Sequence, residues 1–407
     1  MAITEYIPRA LEPALSKAIS QFPAVAVTGP RQSGKTTLLR RRYSASHRYV
    51  SVEPPDVRNA ATADPRGFLE EYSPPIIIDE IQHAPELLPY IKETIDDDRG
   101  TAGQFILTGS QNLLLSQHVT EILSGRVAML HLLQLSVREI AKRPQAPLAW
   151  EHRRSVKSPA IPQRQLWNRI IRGGFPELAA SPRRDSALWH ASYIQTYLER
   201  DVRTLRQLGD LTTFQSFLRL LAAQSGQLFN MASFSRDLGI AVNTVKAWLS
   251  ILEASFQVVI VRPFHANVGK RLVKTPKIYF GDTGTLCHLS GLRDSEHAAK
   301  GPMGGVLFET AVLAEIRRTI VHSGQVPEIY FWRTSIGSEV DFVVAINGLL
   351  IPIEVKLSST PRTDMAKGIA RFRGDLKKRV GPGFVVHSGE VRLPLGDGVT
   401  AIPFAEL

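Results

Sequence analysis

The chain is poor in cysteine, in long apolar runs and in acidic residues. Cys287 is its only cysteine in 407 residues. No intrachain disulfide and no cysteine-based zinc site can therefore form, and a reducing, cytoplasmic setting is expected. No stretch approaches the roughly eighteen consecutive apolar residues of a membrane-spanning helix, so no membrane partner is expected. The opening MAITEYIPRALE carries charges and lacks the apolar core of a secretion signal, so no leader is expected. No internal repeat and no low-complexity tract is visible. Acid is outnumbered: 38 Asp and Glu face 49 Lys and Arg, a formal charge of +11. That surplus suits a polyanionic partner, of which nucleic acid is the commonest, although a soluble enzyme can simply be basic. The content of 43% hydrophobic and 21% charged residues is ordinary for a soluble globular protein. The length allows two or three domains.

Residues 20–135 alternate short apolar runs (AVAVTG, IIIDE, FILTGS) with helical stretches, the rhythm of a parallel sheet flanked by helices. Within it, VTGPRQSGKTT fits G-x-x-x-x-G-K-T from Gly29 to Thr36. The apolar strand Ala24–Thr28 precedes it and the helical TLLRRR follows, the context this motif needs. The loop Gly29, Pro30, Arg31, Gln32, Ser33 and Gly34 would curl around phosphate oxygens with the backbone N–H groups of its non-proline residues, and the helix N-terminus adds a partial positive charge. Lys35 would reach the β- and γ-phosphates of ATP. The Thr36 hydroxyl would enter a Mg²⁺ shell, and Thr37 completes the nucleotide set. In PPIIIDEI, Asp79 ends a buried strand and would hold Mg²⁺ through water. Glu80 is placed to orient or deprotonate the attacking water, which suits hydrolysis better than phosphoryl transfer to a small molecule. Ser110 or Asn112, with Ser110 preferred, would sense the γ-phosphate. Arg126 is either an arginine finger on a neighbouring subunit's nucleotide, which requires a homo-oligomer, or a surface arginine.

These residues belong to a longer ordered set: TGPRQSGKTTLL, IIIDEIQ, ILTGSQ, LSGRV, GGFPE (Gly173–Glu177), YLERDV (Tyr197–Val202) and KIYFGDTG (Lys277–Gly284). Over nearly its whole length the chain resembles the bacterial and archaeal AAA-type ATPases that pair an N-terminal P-loop domain with a C-terminal domain of uncharacterised function. The resemblance implies ATP hydrolysis, with an often undefined biological task. The expected division is an ATPase domain at 1–140, a linker and helical lid at 141–208, a winged helix-turn-helix at 209–290 and an α/β domain at 291–407.

In the third of these, Phe217, Leu220 and Leu221 mark one amphipathic helix, and MASFSRDLGI a second that stops at Gly239. The third, AVNTVKAWLSILEAS, turns Val245, Trp248, Leu249 and Leu252 inward and Asn243, Thr244 and Lys246 outward. That outward face is only weakly basic. It serves DNA contact or, equally, a lid or protein-docking role. FQVVIVRPF begins the wing, and GKRLVKTP adds basic residues near its tip.

The segment EVDFVVAINGLLIPIEVK, Glu339 to Lys356, reads as a hairpin about a type I′ Asn347-Gly348 turn. Ile346 then pairs with Leu349, Asp341 with Glu354 and Glu339 with Lys356. Strict alternation puts those four polar residues on one face and Val340, Phe342, Val344, Ile346, Leu349, Ile351, Ile353 and Val355 on the other. Opposed carboxylates destabilise a sheet, and a divalent ion, Mg²⁺ or Mn²⁺, would relieve the repulsion. Lys356 would steady a developing phosphate charge or position water. The spacing Asp-x₁₂-Glu-x-Lys resembles the core of PD-(D/E)xK nucleases. In VLFETAVLAEIRRTI, Glu309 interrupts the apolar stripe Val306, Leu313, Ile316 and Ile320, which makes it the candidate additional metal ligand with Asp341 and Glu354. The plainer alternatives are a decayed nuclease fold kept for binding and a Glu354–Lys356 salt bridge. The basic RFRGDLKKR offers phosphate contacts or a solvated helix face.

The sequence thus leads to an α/β chain: a P-loop parallel-sheet ATPase, a helical lid and winged helix, and a restriction-endonuclease-like C-terminal domain. It would act on DNA with ATP and Mg²⁺. Two other readings stand beside it: an ATP-driven switch that grips a protein partner, and a motor moving along DNA junctions with an inactive nuclease fold.

Overall fold

The computed structural model describes residues 6–109, 119, 121–151, 161–198, 211–264, 275–334, 337–376 and 379–407. Strands β1 (Ala24–Thr28), β2 (Arg48–Ser51), β3 (Ile76–Asp79), β4 (Phe105–Gly109) and β5 (Val127–His131) form a five-stranded parallel sheet in the order β2-β3-β4-β1-β5. Every residue of β1 and β4 is buried, as continuous apolar runs in a doubly covered sheet require. The phosphate loop leaves the C-terminal end of β1, and left-handed Gly34 (φ 92°) opens the helix Lys35–Tyr43. β4 lies between β1 and β3, so Asp79 is presented one strand away from the loop.

Three helices follow the lid: Leu211–Ala223, Met231–Leu238 and Val242–Ala254. The Asn230 side chain caps the second by accepting from the Ala232 and Ser233 N–H groups, and Gly239 closes it at φ 65°. Val245, Trp248, Leu249 and Leu252 are buried, while Asn243 and Lys246 are exposed and Thr244 is half-buried. β6 (Val258–Pro263) and β7 (Lys277–Phe280) pair antiparallel behind them. Most of GKRLVKTP lies outside the described residues. β6 also pairs in parallel with β8 (Ile329–Arg333), through Arg262 with Tyr330 and Pro263 with Phe331. The strands of the expected 209–290 unit are therefore built into the same eight-stranded sheet as β9 (Glu339–Ile346), β10 (Leu349–Lys356), β11 (Gly383–His387), β12 (Leu393–Gly396) and β13 (Val399–Pro403). One hydrophobic cluster runs from Phe214 and Trp248 to Phe342 and Phe404 across that division.

The β9–β10 hairpin keeps the anticipated register from Ile346–Leu349 to Phe342–Ile353. Asn347 (φ 50°) and Gly348 (φ 76°) make the turn. The face assignment does not hold along its full length. Pairing of β9 with β8 shifts between Tyr330 and Trp332, opposite Asp341 and Phe342. Beyond this bulge Val340 packs with Val343 and Leu350 against Trp332, Ile369 and Phe372, not with Phe342 and Val344. A period-two count presumes an unbroken ladder, and an extra residue reverses every side chain beyond it.

The ATPase sheet and the second sheet meet at a buried ionic joint. Glu139 is fully buried, and the Arg9 guanidinium donates from Nε to Glu139 Oε1 at 3.0 Å. The long helix Gly304–His322 supplies three further groups. His322 Nε2 accepts from the Leu133 N–H at 3.0 Å, Glu315 accepts from the Val137 N–H, and Arg318 reaches the Leu135 carbonyl and Asp282. Asp282 in turn accepts from the Gly174 N–H at 2.7 Å. A Cβ at Gly174 would stand 2.8 Å from the Leu135 carbonyl. The GGFPE and KIYFGDTG motifs are thus two sides of one joint. Arg9 and Glu139 lie with side chains only 4% and 0% exposed, so removing either partner strands a buried charge. Glu139→Ala is expected to cost about 3–5 kcal/mol, read as a lowered urea midpoint for unfolding. A loss under about 1 kcal/mol, the range of exposed pairs, would contradict it.

Candidate functional site

The nucleotide site is built where β1 ends. A Cβ at Gly29 would meet the Leu132 carbonyl at 2.1 Å, so only glycine lets the loop pass this close to the strand beside it. Lys35 Nζ donates to the Gly29 and Pro30 carbonyls, each at 3.0 Å, and so lies folded along the loop. Thr36 Oγ1 donates to Asp79 Oδ2 at 2.9 Å. The hydroxyl and carboxylate thus meet where a Mg²⁺ ion and its water would be held between them. Asp79 also accepts from Tyr49 Oη at 2.7 Å and, on its other oxygen, from Thr108 Oγ1. Glu80 sits in the left-handed region (φ 59°), and its carboxylate accepts from the Gln82 side chain. Ser33 Oγ is buried without a hydrogen-bond partner, an acceptor-seeking donor in a loop shaped for phosphate. These residues fit a magnesium nucleotide. Lys35, Thr36 and Glu80 line a cavity of about 590 Å³ that also takes in Arg31, Gln32, Thr37, Glu177 and Arg184.

Sequence reasoning missed several of these residues. Arg9 braces the loop from below by donating to the Ser33 carbonyl at 2.8 Å and to the Leu133 carbonyl at 2.7 Å. No local pattern marks it. Its partner Glu139 was detectable, because Ser136-x-x-Glu139 is a capping box and both of its bonds are formed. Glu177 and Arg184, an ion pair at 2.7 Å, bring the segment after β5 to the nucleotide cavity. Ser110 and Asn112 lie outside the described residues. Arg126 stands before β5, at the end of the sheet opposite the phosphate loop, and holds both Asp96 oxygens at 2.7 and 2.9 Å. It is thus no part of this chain's own nucleotide site, and a role on a neighbour's nucleotide would need that pair to open.

The second constellation centres on the hairpin. At the β9 bulge, Asp341 Oδ2 accepts the Val355 N–H at 2.8 Å, so a carboxylate takes a main-chain donor of β10. Lys356 Nζ lies 2.6 Å from Glu354 Oε1, while Glu354 Oε2 is buried with no hydrogen-bond partner among the described residues. Glu309, on the long helix, accepts from Tyr279 Oη at 2.5 Å. Lys277 Nζ lies 2.7 Å from Glu339 Oε1 and 3.7 Å from Glu309 Oε1. Burial, and then the charge of Asp341, raises both Glu354 and Glu309. Burial foremost raises Asp341. Burial alone would lower Lys277, but Glu309 and Glu339 beside it raise it. Glu309, Asp341 and Glu354 therefore share one electrostatic environment. Each is turned onto a protein partner, and among the described residues no three His, Cys, Asp or Glu side chains stand grouped as a ready metal-binding set. Their oxygens, one of them unpartnered, remain of the kind Mg²⁺ or Mn²⁺ takes. Sequence reasoning missed Lys277 and Tyr279 here, although both lie in KIYFGDTG. The RFRGDLKKR helix is partly spent on the fold: Arg373 donates to the Gly381 carbonyl at 2.6 Å and to the Gly398 carbonyl at 3.1 Å.

A parallel sheet with its phosphate loop, its Thr36–Asp79 contact and Glu80 beside them defines a P-loop ATPase fold of the AAA type. A family described as AAA domain matches residues 21–141. Two families described as domains of unknown function, DUF8612 and DUF4143, match 163–296 and 304–407. The uncharacterized protein Rv2008c of Mycobacterium tuberculosis is 33% identical over 391 residues, 96% of this chain and 82% of the relative. An uncharacterized protein of Haemophilus influenzae is 22% identical over 406 residues, 92% of each chain. The chain belongs to the family of AAA-domain proteins that Rv2008c represents. Among solved structures, the Walker-type ATPase PABY2304 of Pyrococcus abyssi is similar at a TM-score of 0.46 and 16% identity, over 70% of this chain and 99% of that one. The RuvB Holliday junction branch migration motor of Thermotoga maritima has a TM-score of 0.28 and 16% identity, over 61% of this chain and 88% of that one.

The raised carboxyl of Glu354 has a consequence for stability. Folded, it keeps its proton at a pH where the unfolded chain has released it. Stability present at low pH is therefore lost as pH climbs above the ordinary carboxyl value and through the raised one. Glu354→Gln cannot ionise. Its melting temperature relative to wild type is expected to rise steadily from about pH 5 to about pH 9. A difference constant across that range would contradict the assignment.

Proposed function

We propose that the chain is an ATP-hydrolysing, DNA-acting protein whose C-terminal domain carries a nuclease-like centre dependent on Mg²⁺ or Mn²⁺. The observation that carries this reading is the Asp341–Glu354–Lys356 arrangement. One carboxylate is drawn onto the β10 backbone at a bulge, the other is buried with a free oxygen, and a lysine stands beside it. Burying opposed acids without an ion costs stability that a structural salt bridge does not need to spend. In this reading Asp341 and Glu354, joined by Glu309, would hold the ion, which would polarise a phosphodiester and activate water. Lys356 would steady the charge developing on the phosphate. At the other site, Lys35 and the loop from Gly29 to Thr37 hold ATP, Thr36 and Asp79 hold Mg²⁺, and Glu80 orients water once Gln82 releases it.

The three-helix unit with its β6–β7 hairpin reads as a winged helix, and Asn243 and Lys246 are exposed on its third helix. With the +11 charge, this favours duplex or branched DNA as the partner. A cytoplasmic setting fits, as does a homo-oligomer. No helix among the described residues is long and apolar enough to cross a membrane. One feature favours the protein-binding switch instead: Val242, next to Asn243, is 44% exposed and gives that face an apolar edge.

One experiment separates the readings. Labelled branched, single-stranded and duplex DNA is incubated with wild type, Asp341→Asn and Glu80→Gln, with and without ATP and Mn²⁺, at two salt concentrations. The proposal expects binding that weakens steeply with salt and cleavage lost in Asp341→Asn with ATP hydrolysis kept. Glu80→Gln should hydrolyse ATP on the order of 10²–10⁴-fold more slowly. DNA binding without cleavage, unchanged in Asp341→Asn, would leave a motor with an inactive nuclease fold. No DNA binding at either salt would favour the protein switch.

A further inference from the structure

Lys277 is the least expected member of the acidic cluster. It does not come from the hairpin or the long helix but from β7, the strand that ends the helical middle unit. Its side chain is only 8% exposed, whereas that of Lys356 is 39% exposed. Lys356 has room to swing toward solvent, and Lys277 does not. A buried ammonium is tolerated only where carboxylates surround it, and here Glu339 and Glu309 do so at 2.7 and 3.7 Å. The Phe331 ring closes another side, with its centroid 5.5 Å from Nζ. The cluster thus has two unlike halves. Around Lys277 the acids are matched by a fixed cation. Around Glu354 a partly exposed lysine covers one oxygen, and the other, buried, has no partner among the described residues.

We propose that Lys277 is a resident cation that competes with a divalent metal ion of the Mg²⁺ or Mn²⁺ class for Glu309, holding Glu339 for itself and leaving Asp341 and Glu354 to the ion. This deepens, and rests on, the metal-centre reading above. A divalent ion placed among these carboxylates meets a like charge that cannot withdraw to solvent, and its affinity is lowered accordingly. Because Lys277 is carried by β7, metal occupancy of the C-terminal site is tied to the middle unit. The matches at 163–296 and 304–407 therefore describe two parts of one site.

The test is a Mn²⁺ titration of the full chain without nucleotide, with free Mn²⁺ read by electron paramagnetic resonance. The proteins are wild type, Lys277→Met, Lys277→Arg and Asp341→Asn, and Lys277→Met combined with Asp341→Asn. Circular dichroism melting checks each fold, and Lys277→Gln, which keeps a donor for Glu339, replaces the methionine variant if that variant does not fold. Binding at this site is the part lost on adding Asp341→Asn. The expected result is that Lys277→Met binds Mn²⁺ at this site about tenfold more tightly than wild type, the order of effect a nearby charge has on an ionisable site, while Lys277→Arg stays at the wild-type level. If wild type shows Asp341-dependent binding and Lys277→Met is no tighter, the competition is overturned and the metal centre stands. Tighter binding by Lys277→Arg would also overturn it, because the charge is retained there. If neither wild type nor Lys277→Met shows Asp341-dependent binding, the metal centre falls and the proposal with it.

Discussion

The Arg9–Glu139 pair is the contact on which the rest of the molecule depends. It is made in the low-dielectric centre of the joint, where its components would be costly apart. Arg9 holds the Ser33 carbonyl of the phosphate loop, and Glu139 caps the turn that leads out of the ATPase sheet. His322 approaches Glu139 to 3.3 Å from the last turn of the long helix. Burial foremost lowers His322 against the opposing pull of Glu139, with smaller lowering by the Arg9 and Arg318 charges. That helix carries Glu309 near its other end. One rigid element thus has its C-terminal turn against the strand behind the phosphate loop and its N-terminal part in the acidic cluster.

Two buried polar sites on one framework call for different physical accounts. At the phosphate loop the protein is arranged for a ligand's negative charge, with a left-handed glycine, backbone donors and a lysine laid along its own loop. At the hairpin it is arranged around its own negative charge. Carboxylates there are held by a backbone N–H, a phenol and two lysines. Burial foremost raises Glu309, Asp341 and Glu354, and two ammonium groups stand among them. The β9–β10 register ends at Phe342–Ile353, and beyond it the Val355 N–H goes to the Asp341 side chain.

Much of this was legible in the sequence, for reasons that differ by element. The phosphate loop, Asp79 and Glu80 are local motifs in which spacing alone fixes the geometry. The third helix of the middle unit follows from the 3.6-residue spacing of Val245, Trp248, Leu249 and Leu252. The hairpin register followed from Asn347-Gly348. What escaped is non-local or irregular. The bulge beside Tyr330 depends on the partner strand β8, so alternation within β9 could not foretell where Val340 would turn. Arg9, Lys277 and Tyr279 reach their partners across more than a hundred residues or from another sheet edge, and no pattern near them says so. The merging of β6 and β7 into the second sheet likewise rests on the two-residue pairing with β8.

The central claim is that the chain seats a catalytic-type divalent ion between Asp341 and Glu354, away from its nucleotide. Anomalous diffraction from crystals grown with Mn²⁺ and a non-hydrolysable ATP analogue tests this most directly. The account predicts two peaks. One lies between Thr36, Asp79 and the β- and γ-phosphates, and the other within about 2.0–2.4 Å of oxygens of both Asp341 and Glu354. A peak at the nucleotide alone, with Glu354 still paired to Lys356 and Asp341 still bound to Val355, would contradict it.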